Sequence, residues 1–279
     1  MGDVAVIFGT QRCGSNYFLS ASRRVDDLLV LGEMYHRGGV FPFQGSPHQD
    51  FEIKQRLGHI LRKQFEEKSA ACFNGWRADA AFDPVANAAI NEALVKFSHK
   101  YPQKYFAGLR ELAGGRRLLF KIFPEHLDLF QSLGILKQQR PHVILMLRNP
   151  LDSFISYKKL VETKKPQDVD TSELKITFNK AEYFAYKAGL SSFFTAIREF
   201  CEDEWIDLST VHYEWLHGGE AERKPEMVRE TLQRVFGVPM NVSGAAAALP
   251  LFRQQDKSAS AAQKVLNPNQ LPVQPQVLL

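Results

Sequence analysis

Hydrophobic residues along this chain come in two alternating kinds of segment. Five short runs are rich in apolar residues, the last least so: "VAVIF" (Val4–Phe8), "LLVLGE" (Leu28–Glu33), "LLFKIF" (Leu118–Phe123), "HVILML" (His142–Leu147) and "LSTVHY" (Leu208–Tyr213). Runs this short and continuous read as strands buried on both faces of a sheet. Between them the apolar positions recur at helical spacing. The pattern predicts helices over Ser15–Arg24, Phe51–Lys68, Ala88–Tyr101, Asp152–Glu162, Glu173–Cys201 and Pro225–Phe236, the last opening with proline at its first turn. Strands alternating with helices predict an α/β fold, a three-layer sandwich whose central, mostly parallel sheet is flanked by helices. In such a sheet a ligand binds beyond the carboxyl ends of the strands, where the strand order reverses.

Composition narrows this little. The 279 residues are 44% hydrophobic and 24% charged, ordinary for a globular chain that buries its own core. They are read as one domain, 1–279, with no internal repeat. Cys13, Cys72 and Cys201 are odd in number and far apart, which argues against a disulfide framework or a zinc cluster and for a reducing, cytoplasmic setting. No metal is expected. The net charge of +4 suits an anionic small ligand but is too weak to argue for nucleic acid. No apolar run is long enough for a membrane span. The stretch "YHRGGVFPFQGSPH" (Tyr35–His48) reads as a long loop, and the tail from Pro268 as frayed or extended.

Two stretches carry chemistry. "GTQRCGSN" (Gly9–Asn16) follows the first strand and opens a helix. Its glycines have the spacing of a phosphate-binding loop, whose backbone N–H groups and helix dipole attract an anion. A triphosphate-binding loop continues with Lys and then Ser or Thr; here Ser15 and Asn16 follow Gly14, and the nearest cation is Arg12, inside the loop. The second stretch, "LRNPLDSFISYKK" (Leu147–Lys159), places Arg148 at a strand's carboxyl edge and Ser156 about two helical turns later. A forked guanidinium and a short hydroxyl suit a second phosphate.

As a pair, these stretches resemble the 5′-phosphosulfate loop and the 3′-phosphate motif of sulfotransferases that use 3′-phosphoadenosine 5′-phosphosulfate. Such a donor has no β,γ-triphosphate, so the missing lysine has no task. "LGEMYH" resembles the Gly-Glu step of bacterial trehalose sulfotransferases, and "GTQRCGSNYF" is similar to the loop of Nod-factor sulfotransferases. "FRQQDKSAS" resembles the Arg-Gln segment that closes over the nucleotide in these enzymes. The resemblance implies that Gln11, Arg12, Cys13, Gly14, Ser15, Asn16, Arg148, Ser156, Arg253, Gln254 and Lys257 hold the donor, the last three within a closing segment at about 250–279. It implies that an insertion at about 35–84 selects the acceptor, a hydroxyl of a small molecule or glycan, in a carbohydrate or glycolipid.

Sulfuryl transfer needs a base for the acceptor proton. The resemblance points to Glu33, which would work best with a raised pKa. His36 and His126 are rival bases, with His126 at the expected start of a helix. Lys121 is placed to reach the sulfuryl group from its strand. Tyr35, Phe41, Phe43 and Trp76 are candidates for lining the acceptor site, though Trp76 fits core packing better. Cys13 reads as a small filler and "HYEWL" as structural. A P-loop kinase or nucleotide hydrolase, or a non-catalytic nucleotide-binding protein, are the other readings. The first lacks the lysine after Gly14 and an acidic strand motif for Mg²⁺.

Overall fold

The structure is a computed structural model describing residues 2–163, 171–218, 224–242 and 260–272. Strand β1 (Val4–Phe8) leads through a tight loop into helix α1 (Ser15–Ser22) and out to β2 (Leu28–Glu33). Four helices follow: α2 (Pro47–Gln64), α3 (Glu66–Ser69), α4 (Pro84–Lys100) and α5 (Pro102–Ala113). The chain then returns as β3 (Arg117–Ile122), α6 (Leu129–Gln139), β4 (His142–Leu147), α7 (Pro150–Thr163), α8 (Lys180–Asp203), β5 (Leu208–His212), α9 (Tyr213–Gly218) and α10 (Lys224–Phe236). All strands pair in parallel in the order β2-β3-β1-β4-β5.

Alternation along each strand makes the three layers. Val4, Val6 and Phe8, with Leu118, Phe120, Val143 and Leu145, face a core shared with α2, α4, α5, α6 and α8. Ala5 and Ile7, with Leu119, Ile144 and Met146, face α1 and α10. Strands apolar on both faces need cover on both, and the helices supply it. A third, smaller cluster joins Leu151, Phe154 and Ile155 of α7 to Ile176, Phe178, Tyr183 and Val265.

The expected strands stand within a residue of their observed bounds. Several helices start earlier than the apolar pattern implied, because a first turn is built from caps rather than core residues. The α2 start, expected at Phe51, is set by the Ser46 hydroxyl accepting from the Gln49 N–H, with Pro47 in the first turn. The α4 start is set by Asp83, whose carboxylate accepts from the Val85 and Ala86 N–H groups. The expected Glu173–Cys201 helix is corrected at its amino end: α8 begins at Lys180, capped by Asn179. Residues just before it run extended instead, and Ile176 bridges to Val265. Helices α5 and α6 were not anticipated. The apolar spacing of Tyr105, Phe106, Leu109, Leu112 and Ala113 would have revealed the first, and the Asp128–Gln131 capping box the second. At the tail, Pro268–Gln270 forms a 3₁₀ turn.

Among the described residues no helix is long and apolar enough to cross a membrane.

Candidate functional site at the carboxyl edge of the sheet

After β1 the chain goes to one side of the sheet, toward β2 and β3; after β4 it goes to the other, toward β5. The order therefore reverses between β1 and β4, and the loop after β1 and the turn after β4 share one crevice. In the first loop the Cys13 N–H donates to the Thr10 carbonyl, and Arg12 and Gly14 adopt positive φ angles of 69° and 88°. Gly14, at the α1 N-cap, takes a left-handed conformation that costs glycine nothing; Arg12 holds one at a residue that disfavours it. Gly14 brings no side chain to cap α1, and apart from the Ser15 N–H, which meets the Cys13 thiol, the helix's amino end opens on the crevice.

The two stretches singled out above meet directly. The Arg12 Nε donates to the Ser156 Oγ of α7 at 3.0 Å. From β4's end, the Arg148 Nη1 donates to the Arg12 carbonyl at 2.6 Å. Arg148 is aimed by the Tyr213 ring, whose centroid lies 4.1 Å from the guanidinium carbon, a cation–π contact. Its Nε is buried without a hydrogen-bond partner among the described residues, a donor left over inside the crevice. Asn149 caps α7, accepting from the Leu151 N–H at 2.9 Å, while its own N–H donates to Glu214. "HYEWL", read as structural, thus supports the site through Tyr213 and Glu214. Below the loop, Thr10, Ser153 and the Tyr186 hydroxyl form a polar chain, with 2.9 Å between the last two. Ser153 and Tyr186 were not anticipated, since a serine and a tyrosine on separate helices carry no mark of meeting. Burial raises the Cys13 thiol's pKa, and the side chain lies inside the core, as a filler does.

A second group stands two strands away. Opposite β3, strand β2 carries a bulge: Val30 pairs with Leu119, but Glu33, not Gly32, pairs with Lys121. The extra residue turns the carboxylate toward the Lys121 ammonium. Gly32 is required by close approach, since a Cβ there would lie 2.4 Å from the Phe41 carbonyl oxygen, where residues 41 and 42 run antiparallel along β2. Lys121 Nζ is 3.0 Å from Glu33 Oε1, 2.6 Å from Asn16 Oδ1 and 3.4 Å from Ser15 Oγ. This one ammonium links the two groups.

His126 Nε2 lies 3.4 Å from Glu33 Oε2, but misaligned for a full hydrogen bond. The His36 ring packs edge-on against His126, with centroids 5.2 Å apart. His126 was expected at a helix start. It sits instead in the turn before α6, wholly buried. Burial by itself would raise Glu33's pKa; the adjoining Lys121 ammonium and His126 outweigh it and bring the carboxyl down to about 2. This is the reverse of the raised value expected of a base. Burial and the nearby His126 lower the pKa of His36.

Glu33, His36 and His126 each offer a ligand atom within 4.8 Å of the others. Their hydrogen bonds oppose chelation. Nδ1 of His126 accepts from the Phe123 N–H, and Nδ1 of His36 from the Gly38 N–H. A backbone N–H only donates, so each neutral ring carries its proton on Nε2, where a metal would need a bare lone pair.

No family model matches this chain, and no curated protein matches it.

The structure thus brings Arg12, Cys13, Gly14, Ser15, Asn16, Arg148 and Ser156 to one crevice, with Glu33, Lys121, His126 and His36 beside it. Gln11 lies half-buried in the same loop turn. Arg253, Gln254 and Lys257 lie outside the described residues. Three of the four aromatics proposed for the acceptor are spent elsewhere. Tyr35 is buried and donates to the Pro102 carbonyl, Trp76 is buried and donates to Gln55, and Phe43 packs against Arg23. Phe41, about half exposed, stands edge-on to His36.

Proposed function

We propose that the protein is a sulfotransferase, moving the sulfuryl group of 3′-phosphoadenosine 5′-phosphosulfate to a hydroxyl of a carbohydrate or glycolipid. One observation carries this reading. Two stretches whose residue types suit anions, 136 and 144 residues apart at their points of contact, are joined by hydrogen bonds at the strand-order reversal, with a carboxylate and an ammonium next to them. The uncapped start of α1 suits the phosphosulfate end of the donor, and Arg148 with its spare Nε suits the 3′-phosphate end.

The residues divide the chemistry by charge. Glu33 takes the proton of the acceptor hydroxyl as that oxygen attacks sulfur from the side opposite the leaving group. Arg12, Lys121 and the α1 N–H groups stabilise the charge on the departing phosphate oxygen, which keeps the electron pair of the broken S–O bond. By analogy with phosphoryl transfer, positioning and charge stabilisation dominate. His126 and His36, donors at Nε2, hold Glu33 or the acceptor in place. Phe41 offers a flat apolar face for a sugar ring. The residues around 35–84 select the acceptor, and the proposed setting is the cytoplasm.

Calorimetric titration with 3′-phosphoadenosine 5′-phosphate, with ADP plus Mg²⁺ as the control, tests the donor class. Micromolar binding of the first alone supports the reading, and radiolabelled sulfuryl transfer to a sugar panel then identifies the acceptor. Binding of ADP with Mg²⁺ instead, with ATP turnover, would replace it with a kinase or nucleotide hydrolase. Donor binding without transfer to any acceptor would leave a non-catalytic nucleotide-binding protein.

A further inference from the structure

The site as it stands contains a conflict. Glu33 is the carboxylate placed to take a proton, yet its neighbours hold it as a weak base. Burial favours the protonated form, but Lys121 and His126 prevail, and a carboxyl near 2 draws poorly on a sugar hydroxyl. The cation chiefly responsible does not belong to Glu33 alone. Lys121, 3% exposed, holds Glu33 on one side and Asn16 and Ser15 on the other. An ammonium has three N–H donors, and these three oxygens occupy them. Asn16 and Ser15 are the first residues of α1, where the donor's anionic end is proposed to sit.

We infer that Lys121 is a donor-responsive switch on Glu33: arrival of the phosphosulfate at the α1 terminus draws the ammonium off the carboxylate and frees Glu33 to accept the acceptor's proton. This inference rests on the sulfotransferase reading. It makes Lys121 a positioning residue for the base as well as a contact for the sulfuryl group, and it imposes an order, donor before acceptor.

Among the described residues the polar and titratable neighbours of Glu33 come from four elements. Lys121 approaches from β3 and His126 from the turn that follows it; His36 lies beyond β2 on the strand's own continuation; Ser15 and Asn16 approach from α1 behind Lys121. The exposed Glu125 acts on His36. Of these, Lys121 alone touches both the carboxylate and the loop helix. When it shifts, burial remains and the attraction weakens, so the carboxyl pKa climbs. Donor binding then draws in a proton wherever the pH lies between the resting and donor-bound values.

The test is calorimetric titration of 3′-phosphoadenosine 5′-phosphosulfate, without acceptor, in buffers of different ionisation enthalpy at about pH 5. Protons bound or lost by the donor's own phosphates are common to wild type and Glu33→Gln, so the difference reports the carboxyl. Wild type is expected to take up about half a proton more than Glu33→Gln. Lys121→Met is expected to abolish that excess, its resting carboxyl being already raised. Since Lys121→Met leaves a buried carboxylate without its cation, a second measurement needs no variant: the ¹³C resonance of the Glu33 carboxyl, titrated with and without donor. Tight donor binding with equal proton counts and an unmoved ¹³C titration overturns the switch and leaves the sulfotransferase reading intact. Absence of donor binding overturns that reading and the switch with it.

Discussion

The loop after β1 and the group around Glu33 lie side by side, and they are built on opposite principles. The loop is held by hydrogen bonds from two guanidinium cations to neutral oxygens, Arg12 to the Ser156 hydroxyl and Arg148 to a carbonyl, and by a 3.5 Å contact between the Thr10 and Ser153 hydroxyls. Its unsatisfied capacity, the α1 terminus and the Arg148 Nε, points at the crevice. The Glu33 group is the reverse. Its charges, Lys121 buried and Glu33 a quarter exposed, satisfy one another, which leaves it little capacity while Lys121 is in place. On the proposed reading, one region is ready for an anion as it stands, and the other becomes ready only when the first is filled. The lesson is that a perturbed carboxyl marks a functional candidate without marking the state in which it acts.

That contrast is broken most severely at the shared ammonium. Lys121→Ala is expected to cut turnover by about 10²–10³-fold, as loss of a charge-stabilising donor does. It should also destabilise the fold by roughly 2–3 kcal/mol, less than for a fully buried broken pair because Glu33 is a quarter exposed. Urea unfolding measures the second effect. Adding Glu33→Gln should restore part of the stability and none of the turnover; full additivity of the two losses would contradict the pairing.

Arg148→Ala acts on the loop side alone. Donor affinity should fall about 100-fold, with the Glu33 titration unchanged, because the charged partner proposed for the 3′-phosphate is lost together with the clamp on the Arg12 carbonyl. Equilibrium binding of 3′-phosphoadenosine 5′-phosphate gives the first number, and unchanged affinity would remove Arg148 from the site.

Gly32→Ala tests the backbone beneath the Glu33 side. A Cβ 2.4 Å from a carbonyl oxygen forces residues 41 and 42 away from β2. The expected cost is about 1–3 kcal/mol in thermal unfolding, with donor binding retained.

Acidification separates the regions without a mutation. Glu33's folded pKa lies below its ordinary value of 4.5, so its contribution to stability is fully present above that value and is lost as pH falls toward about 2. Wild type should lose stability more steeply than Glu33→Gln within that window and in parallel above it. Equal slopes throughout would show that the pairing is not made in solution.

The smallest effect is expected at Phe41. Its exposed ring contributes little to the core, so Phe41→Ala should leave stability within about 0.5 kcal/mol and raise the acceptor KM with donor binding unchanged.

The two regions also differ in how far they could be read from the residues in order. Gly9–Asn16, Arg148 and Ser156 were legible because each is a local signal: a glycine-spaced turn between a strand and a helix, or an arginine where a strand ends. Glu33 was legible as a residue and misread in its state. Its partner depends on the β2 bulge, which shifts strand register by one residue and leaves no mark in the hydrophobic pattern of "LLVLGE". The pairing of His126 with Glu33 depends on a turn whose Nδ1 contact fixes the ring, and simple spacing placed that histidine on a helix instead.

What the amino-acid order determined by itself was therefore whatever depends on near neighbours: five short strands, most of them apolar on both faces, the helices between them, the caps that start those helices, and a glycine-spaced turn between the first strand and its helix. These follow from backbone sterics and from the burial of side chains at fixed periodicities, which act over a few residues. Tertiary structure alone decided which distant side chains share a charge. The ordering of the strands laid Arg148 against the Arg12 carbonyl, and one extra residue in β2 set Glu33 against Lys121. The energy of a buried charge depends on partners a few ångströms away in space, and nothing in the spacing along the chain reports who they are.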